Sequence, residues 1–251
     1  MSKTFTFPVL ILSLASAMAL AAQTRPGAAL QALQRAQRAA GGADRLLAVR
    51  DLTRHIQMVE SATGSKASET VEAIFPGTIR LTQKFDGNEV TAFCDGLTGW
   101  VKAPWDTENL LPSWQRDAAQ QELLRQLEYL LVSDRDSHKT IAYVKSVSGD
   151  RPGDVLDISA PAGGSVRVTI DSASGEVIAV EYKRIGPRGP QAAITDLYSD
   201  YRTTANGLRV PFKIRTLADG KPYMESVVTD VTYNRGLRPE VLGRKDPLGV
   251  E

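Results

Sequence analysis

The spacing of hydrophobic positions changes along the chain, and each change marks a boundary between element types. From Pro26 to about Arg50, Leu30, Leu33, Ala36 and Ala40 recur at three- and four-residue steps with Arg and Gln between them. This predicts a helical N-terminal segment over 22–50 with one apolar stripe, interrupted at Gly41-Gly42. The period then drops to two. Segments 51–60, 67–75, 78–85, 88–94 and 98–103 are short, rich in Val, Ile, Thr and Phe, and separated by turn residues such as Pro76-Gly77 and Asp86-Gly87. A helical pattern returns at 113–133, where Leu123, Leu124, Leu127, Leu130 and Leu131 line one side and Gln120, Gln121, Arg125, Gln126 and Glu128 the other. Ser113 is the expected N-cap, with Asp117 as the alternative. Alternation resumes in seven further segments, 139–148, 153–160, 164–171, 176–184, 191–201, 208–217 and 223–233.

The linkers between these strands are too short for crossover helices, so the order is an antiparallel meander. The expected class is mainly β (α+β). One sheet of about eleven or twelve strands over 51–235 curls into a half-open barrel covered by amphipathic helices. The tail from 236 to 251 carries Arg244, Lys245 and Asp246 beside Pro247 and Gly249, and is expected to be poorly ordered.

The first residues show a different pattern. Lys3 precedes an apolar run from Phe7 to Leu14, and small residues crowd Ala17 to Ala21. Charge, apolar core and an A-x-A site in that order make a cleavable export signal ending near Ala21. The apolar run is too short to span a bilayer. Cys94, the single cysteine, is far from the cleavage point, which excludes a lipid-modified N-terminus and any internal disulfide. The expected product is a soluble periplasmic protein, a monomer.

Charge is nearly balanced, with 30 Lys and Arg against 29 Asp and Glu. The basic residues are scattered, so nothing provides the stripe that nucleic-acid binding needs. His55 and His138 are the only histidines. Asp134, Asp136 and His138 lack the ligand set of a zinc or calcium site, so no metal or cofactor is expected. There is no G-x-S-x-G elbow, P-loop or dinucleotide glycine pattern. Cys94 alternates with Ala92 and Val90 as a small buried hydrophobe does. Carboxylates at Asp171, Glu181, Asp196 and Asp200 lie on successive strands and leave a strand-borne hydrolase as a remote alternative. No catalytic residue is assigned.

Trp100, Trp105 and Trp114 fall where sheet gives way to helix. They either fill an ordinary core or rim a cavity beneath the helix. The Leu123–Leu131 stripe has the same two readings, core or lid. Energetics make a cavity credible: each buried methylene contributes roughly 0.8 kcal/mol. Ten of them supply on the order of 8 kcal/mol, about micromolar affinity before ordering costs. A lipid carrier therefore needs no catalytic motif.

Three stretches carry a family resemblance. Phe75-Pro76-Gly77-Thr78-Ile79-Arg80 resembles a proline-containing hairpin leading to an arginine-bearing strand. Phe93-Cys94-Asp95-Gly96-Leu97-Thr98-Gly99-Trp100 resembles a D-G-x-x-x-W hairpin. Asp200-Tyr201-Arg202, followed by Asn206-Gly207-Leu208 and Pro211, is similar to a D-Y-R-x-x-x-G-x-x-x-P segment. Together with Ala40-Gly41-Gly42 they resemble the LolA/LolB-like periplasmic lipoprotein-carrier superfamily over most of 40–235. The resemblance implies a curled sheet closed by helical lids over an apolar cavity. It also implies an inward arginine holding the lid shut, for which Arg80 is the matching position. Parity, however, groups Arg80 with Thr78, Thr82 and Lys84, opposite Ile79, Leu81 and Phe85.

The expected function is a soluble binder or carrier of a lipid or acylated protein. The candidate lining is Ile79, Leu81, Phe85, Trp100, Trp105, Trp114, Leu123, Leu124, Leu127, Leu130 and Leu131. The alternative is an envelope interaction or sensor module with the same fold and a filled core.

Overall fold

The computed structural model describes residues 26–244; the expected export signal lies outside them. Two helices come first, α1 (Pro26–Ala39) and α2 (Ala43–Leu47). Six strands follow: β1 (Asp51–Glu60), β2 (Lys66–Ile74), β3 (Thr78–Phe85), β4 (Asn88–Cys94), β5 (Gly99–Ala103) and β6 (Asp106–Leu110). Helices α3 (Ser113–Leu124) and α4 (Leu127–Leu130) and a 3-10 turn at Ser133–Arg135 then lead to the second group of strands. These are β7 (Thr140–Val147), β8 (Gly153–Ala160), β9 (Gly164–Asp171), β10 (Val177–Gly186), β11 (Gly189–Thr203), β12 (Arg209–Ala218) and β13 (Lys221–Tyr233). A last helix, α5, covers Pro239–Leu242.

All thirteen strands join one sheet in the order β6-β5-β4-β3-β2-β1-β13-β12-β11-β10-β9-β8-β7. It consists of two antiparallel meanders fused where β1 pairs with β13, from Leu52 opposite Tyr233 to Glu60 opposite Met224. The sheet is curled and unclosed, with β6 and β7 as its edges. The expected mainly β half-barrel is correct, with one strand more than expected. β6 escapes the hydropathy pattern because its pairing with β5 at the sheet edge, Trp100 opposite Leu110 and Val101 opposite Asn109, is a backbone matter.

Helices α1 to α4 lie on the inner face. Beneath α1, α2 and α4, Leu33, Leu46, Leu130, Leu156, Ile158 and Ile170 form one lobe of the core. Beneath α3, Leu52, Val71, Ile79, Cys94, Leu111 and Leu123 form the other. Two glutamine bonds fix α3 across the barrel: Gln120 Nε2 donates to Gly77 O at 3.1 Å, and Gln121 Nε2 donates to Lys183 O at 3.1 Å. Gly41 (φ +109°) is needed where it stands, since a Cβ there would lie 2.6 Å from the carbonyl oxygen of Gly207.

Two expectations need correction. The helix expected over 113–133 breaks after α3, because Gln126 is extended (ψ 117°) before α4 begins. Its N-cap is Pro112, with Ser113 the first helical residue. The break rotates Glu128 toward β1, where Arg54 meets it. The tail is not free at 236–244. The Asp51 carboxylate accepts hydrogen bonds from the backbone N–H groups of Arg235, Gly236 and Leu237 at 2.8, 3.0 and 3.3 Å. α5 then sets Leu242 against Phe93 and Trp100 on the outer face. Residues 245–251 lie outside the described residues.

Candidate functional site: a cavity between α3 and the sheet

Strand alternation sends every second residue of β1, β2 and β3 inward. The curl of the sheet is too wide for those side chains to fill, and a cavity of about 840 Å³ remains between α3 and the inner face. Such a volume lies within the range of small-molecule sites. Its apolar side is made by Ile56, Met58, Val71, Leu81, Phe85, Val101 and Leu111. α3 contributes Gln115, Ala118, Ala119 and Glu122, its small and polar residues, and its C-cap Arg125.

The remainder of the wall is charged and hydrogen-bonded. Arg125 Nη1 donates to Asp196 Oδ2 at 2.7 Å, and Nη2 pairs with Glu122. The guanidinium lies over the Tyr182 ring, 4.0 Å from its centroid. Thr216 donates to the second oxygen of Asp196 at 2.7 Å. Arg54 Nη1 donates to Gln126 Oε1 and Nη2 to Glu128 Oε1, each at 2.8 Å. Tyr233 donates to Glu128 at 2.6 Å from behind. Glu69 on β2 accepts one bond, from Gln83 Nε2 at 2.5 Å. Burial holds its carboxyl above the usual carboxylate range, against the opposing influence of Gln83, Arg125 and Arg54. Glu69 is deep in the protein, yet it retains some exposed surface, because it lines the cavity. Burial also raises the Tyr182 hydroxyl to about 12. Among the described residues no group of three or more His, Cys, Asp or Glu is placed to hold a metal ion.

No family model matches the chain, and no curated protein does. Solved structures do match. A LolA superfamily protein from Nitrosomonas europaea superposes with a TM-score of 0.61 at 12% identity, over 86% of this chain and 97% of that one. A domain from Vibrio parahaemolyticus, named for outer-membrane lipoprotein sorting, gives 0.56 at 14% identity, over 86% of this chain and 100% of that one. A DUF1329-family protein from Desulfovibrio piger gives 0.54 at 10% identity, over 85% and 96%. The fold is LolA/LolB-like.

Within this LolA/LolB-like fold the residues expected at the cavity separate into groups. Leu81, Phe85 and Leu127 line it. Ile79, on the same face, is buried beneath α3 together with Leu123, while Leu124, Leu130 and Leu131 pack in the lobe under α1. Apart from Leu127, the leucine stripe is therefore core, and α3 turns its small and polar side to the cavity. Trp100 is on the outer face, stacked on Phe93 with 6.0 Å between ring centroids. Its Nε1 donates to Gly243 O at 3.0 Å. Trp105 is 65% exposed, beside Phe85. Trp114 is half-buried on α3 and is not among the lining residues.

Arg80 is also on the outer face. Its side chain runs between Glu72 (3.9 Å) and the Trp100 ring (6.0 Å), and Nη1 lies 3.5 Å from Leu242 O. Strand parity puts it there, so it cannot hold a helical lid. The arginine that crosses from sheet to helical layer is Arg54. One signal marked it: Arg54 interrupts the inward series Leu52, Ile56, Met58, as Glu69 interrupts the series Val71, Ala73. Of the metal candidates, His138 Nδ1 lies 3.3 Å from Asp136 in an exposed loop, while Asp134 accepts a bond from Gln37.

Proposed function

We propose that this protein is a periplasmic binder or carrier of a hydrophobic ligand, held in the cavity between α3 and the inner face of the sheet. The observation that carries the proposal is the cavity itself, about 840 Å³ with an apolar side built from four strands and Leu111. An alkyl or acyl chain laid against Ile56, Met58, Leu81, Phe85 and Val101 gains roughly 0.8 kcal/mol for each methylene removed from water. The structural neighbour from Vibrio parahaemolyticus, named for outer-membrane lipoprotein sorting, supports the same reading. The pairing network of Arg54, Arg125, Glu128 and Asp196 holds the polar wall of the cavity in place.

The test is direct. Protein purified after export is extracted, and the extract is examined by mass spectrometry for bound lipid. In parallel, the uncharged probe N-phenyl-1-naphthylamine is titrated and its fluorescence followed. Bound lipid and enhanced fluorescence are expected, with Ala118→Trp, which narrows the cavity, weakening probe binding about tenfold while the protein stays folded. Absence of both lipid and enhancement removes the proposal.

A further inference from the structure

The charged wall of the cavity has an excess of acid. Arg54 and Arg125 face Glu69, Glu122 and Asp196 across it, with Glu128 directly behind Arg54. That is four carboxylates against two guanidiniums. The remaining charges at the cavity, Glu60 and Asp86 against Lys66 and Arg184, cancel at the strand ends. Three of the four wall carboxylates have a guanidinium partner: Asp196 and Glu122 share Arg125, and Glu128 holds Arg54. Glu69 has none. Its one hydrogen-bond partner is the uncharged Gln83, opposite it on β3. Ile56 is opposite on β1, and Ala67 and Val71 flank it on its own strand and face. A carboxyl so placed, facing an open cavity from apolar surroundings, has no cation in contact with it, although Arg125 and Arg54 act on it from a distance.

We infer that the ligand is an amphiphile with a positively charged headgroup, a primary ammonium on a hydrophobic chain, and that Glu69 is its counter-ion. The inference rests on the cavity-binding reading above and specifies the ligand class. An ammonium at Glu69 gives the fourth carboxylate what the other three already have, in a site where water screens the pair poorly. Arg125 does not oppose it, because its charge is more than matched by Asp196 and Glu122, and that of Arg54 is matched by Glu128. The chain then extends over Ile56, Met58, Leu81 and Phe85. A free fatty acid brings a fifth carboxylate to the same wall and is disfavoured. An uncharged alcohol or ester gains the apolar contacts alone.

Three ligands with the same chain separate these cases: dodecylammonium, dodecanol and dodecanoate, each below micelle-forming concentration. They compete with N-phenyl-1-naphthylamine on the exported full-length protein at neutral pH. Dodecylammonium is expected to bind about tenfold more tightly than dodecanol, and dodecanoate more weakly than both. Glu69→Gln is expected to bring amine affinity down to that of dodecanol measured on the same variant, with thermal melting confirming the fold. Glu69→Asp, which keeps the charge, is expected to retain it. Amine binding no tighter than alcohol binding, or a preference that survives Glu69→Gln, overturns the inference while leaving the cavity reading intact. If the probe and all three ligands fail to bind, the cavity reading itself falls and this inference falls with it.

Discussion

Nη2 of Arg54 on β1 contacts both carboxylate oxygens of Glu128 on α4, at 2.8 and 3.1 Å, and the Glu128 side chain has no exposed surface. The pair joins β1, next to the middle strand of the sheet, to the helical layer beside the break between α3 and α4. Removing one member of a buried pair strands the other. Glu128→Leu or Arg54→Met alone is expected to cost about 3–5 kcal/mol in urea unfolding. The double variant is expected to recover most of that loss, since replacement of a whole buried pair by apolar groups is close to neutral. Additive losses in the double variant would refute the pairing.

Lys139 supplies a pH dependence. Its side chain is 1% exposed, with Nζ 3.2 Å from the centroid of the Tyr129 ring and 4.0 Å from Asp136. Burial pulls the ammonium down from 10.5 to about 8, with Asp136 opposing. The folded protein therefore carries a buried-charge penalty below about pH 8, and sheds it as the pH rises toward 10.5. In that window the unfolded chain binds more protons, so stability rises with pH. The stability difference between wild type and Lys139→Met is expected to move in favour of wild type by about 3 kcal/mol across it. A difference that is flat between pH 8 and 10.5 contradicts the depressed value.

Gly41 and Gly42 separate steric conflict from backbone preference. Both have positive φ, 109° and 104°. A Cβ on Gly41 meets the Gly207 carbonyl oxygen at 2.6 Å, whereas nothing lies within 4 Å of one on Gly42. Gly42→Ala is expected to cost about 1–2 kcal/mol, and Gly41→Ala at least about 1 kcal/mol more. Equal losses in thermal melting would place the whole effect in the backbone.

The C-terminal helix shields Trp100. In a protein whose only tryptophan is Trp100, with Trp105 and Trp114 replaced by Phe, Leu242→Ala is expected to lower stability by about 2–3 kcal/mol. Ending the chain after Arg238 is expected to shift Trp100 emission to longer wavelength. Unchanged emission means that α5 does not cover the ring.

The β architecture was legible because period-two alternation is a direct record of strand faces, and turns such as Asp219-Gly220, with φ of 48° and 77°, need the residues they contain. The same parity separated Arg80 from Ile79 and Leu81. The site was less legible. Hydropathy tells which side of α3 is buried but not against what, so the Leu123–Leu131 stripe read equally well as lid or core. The cavity side of α3, with Gln115, Ala118 and Glu122, looks in sequence like a solvated face, because the cavity is one. α5 is a single turn, too short for periodicity to register. Arg54 and Glu69 left a readable trace only as polar breaks in inward apolar series.

The thirteen strands end in two free edges, β6 and β7, and the chain between them is the α3–α4 segment that covers the cavity. Cover and sheet edges are thus one continuous strap. Widening the half-barrel draws both ends of the strap apart, and lifting α3 pulls on both outermost strands. On the proposed binding reading, admission of a bulky chain is then a mechanical event shared by the whole sheet, felt at both of its edges.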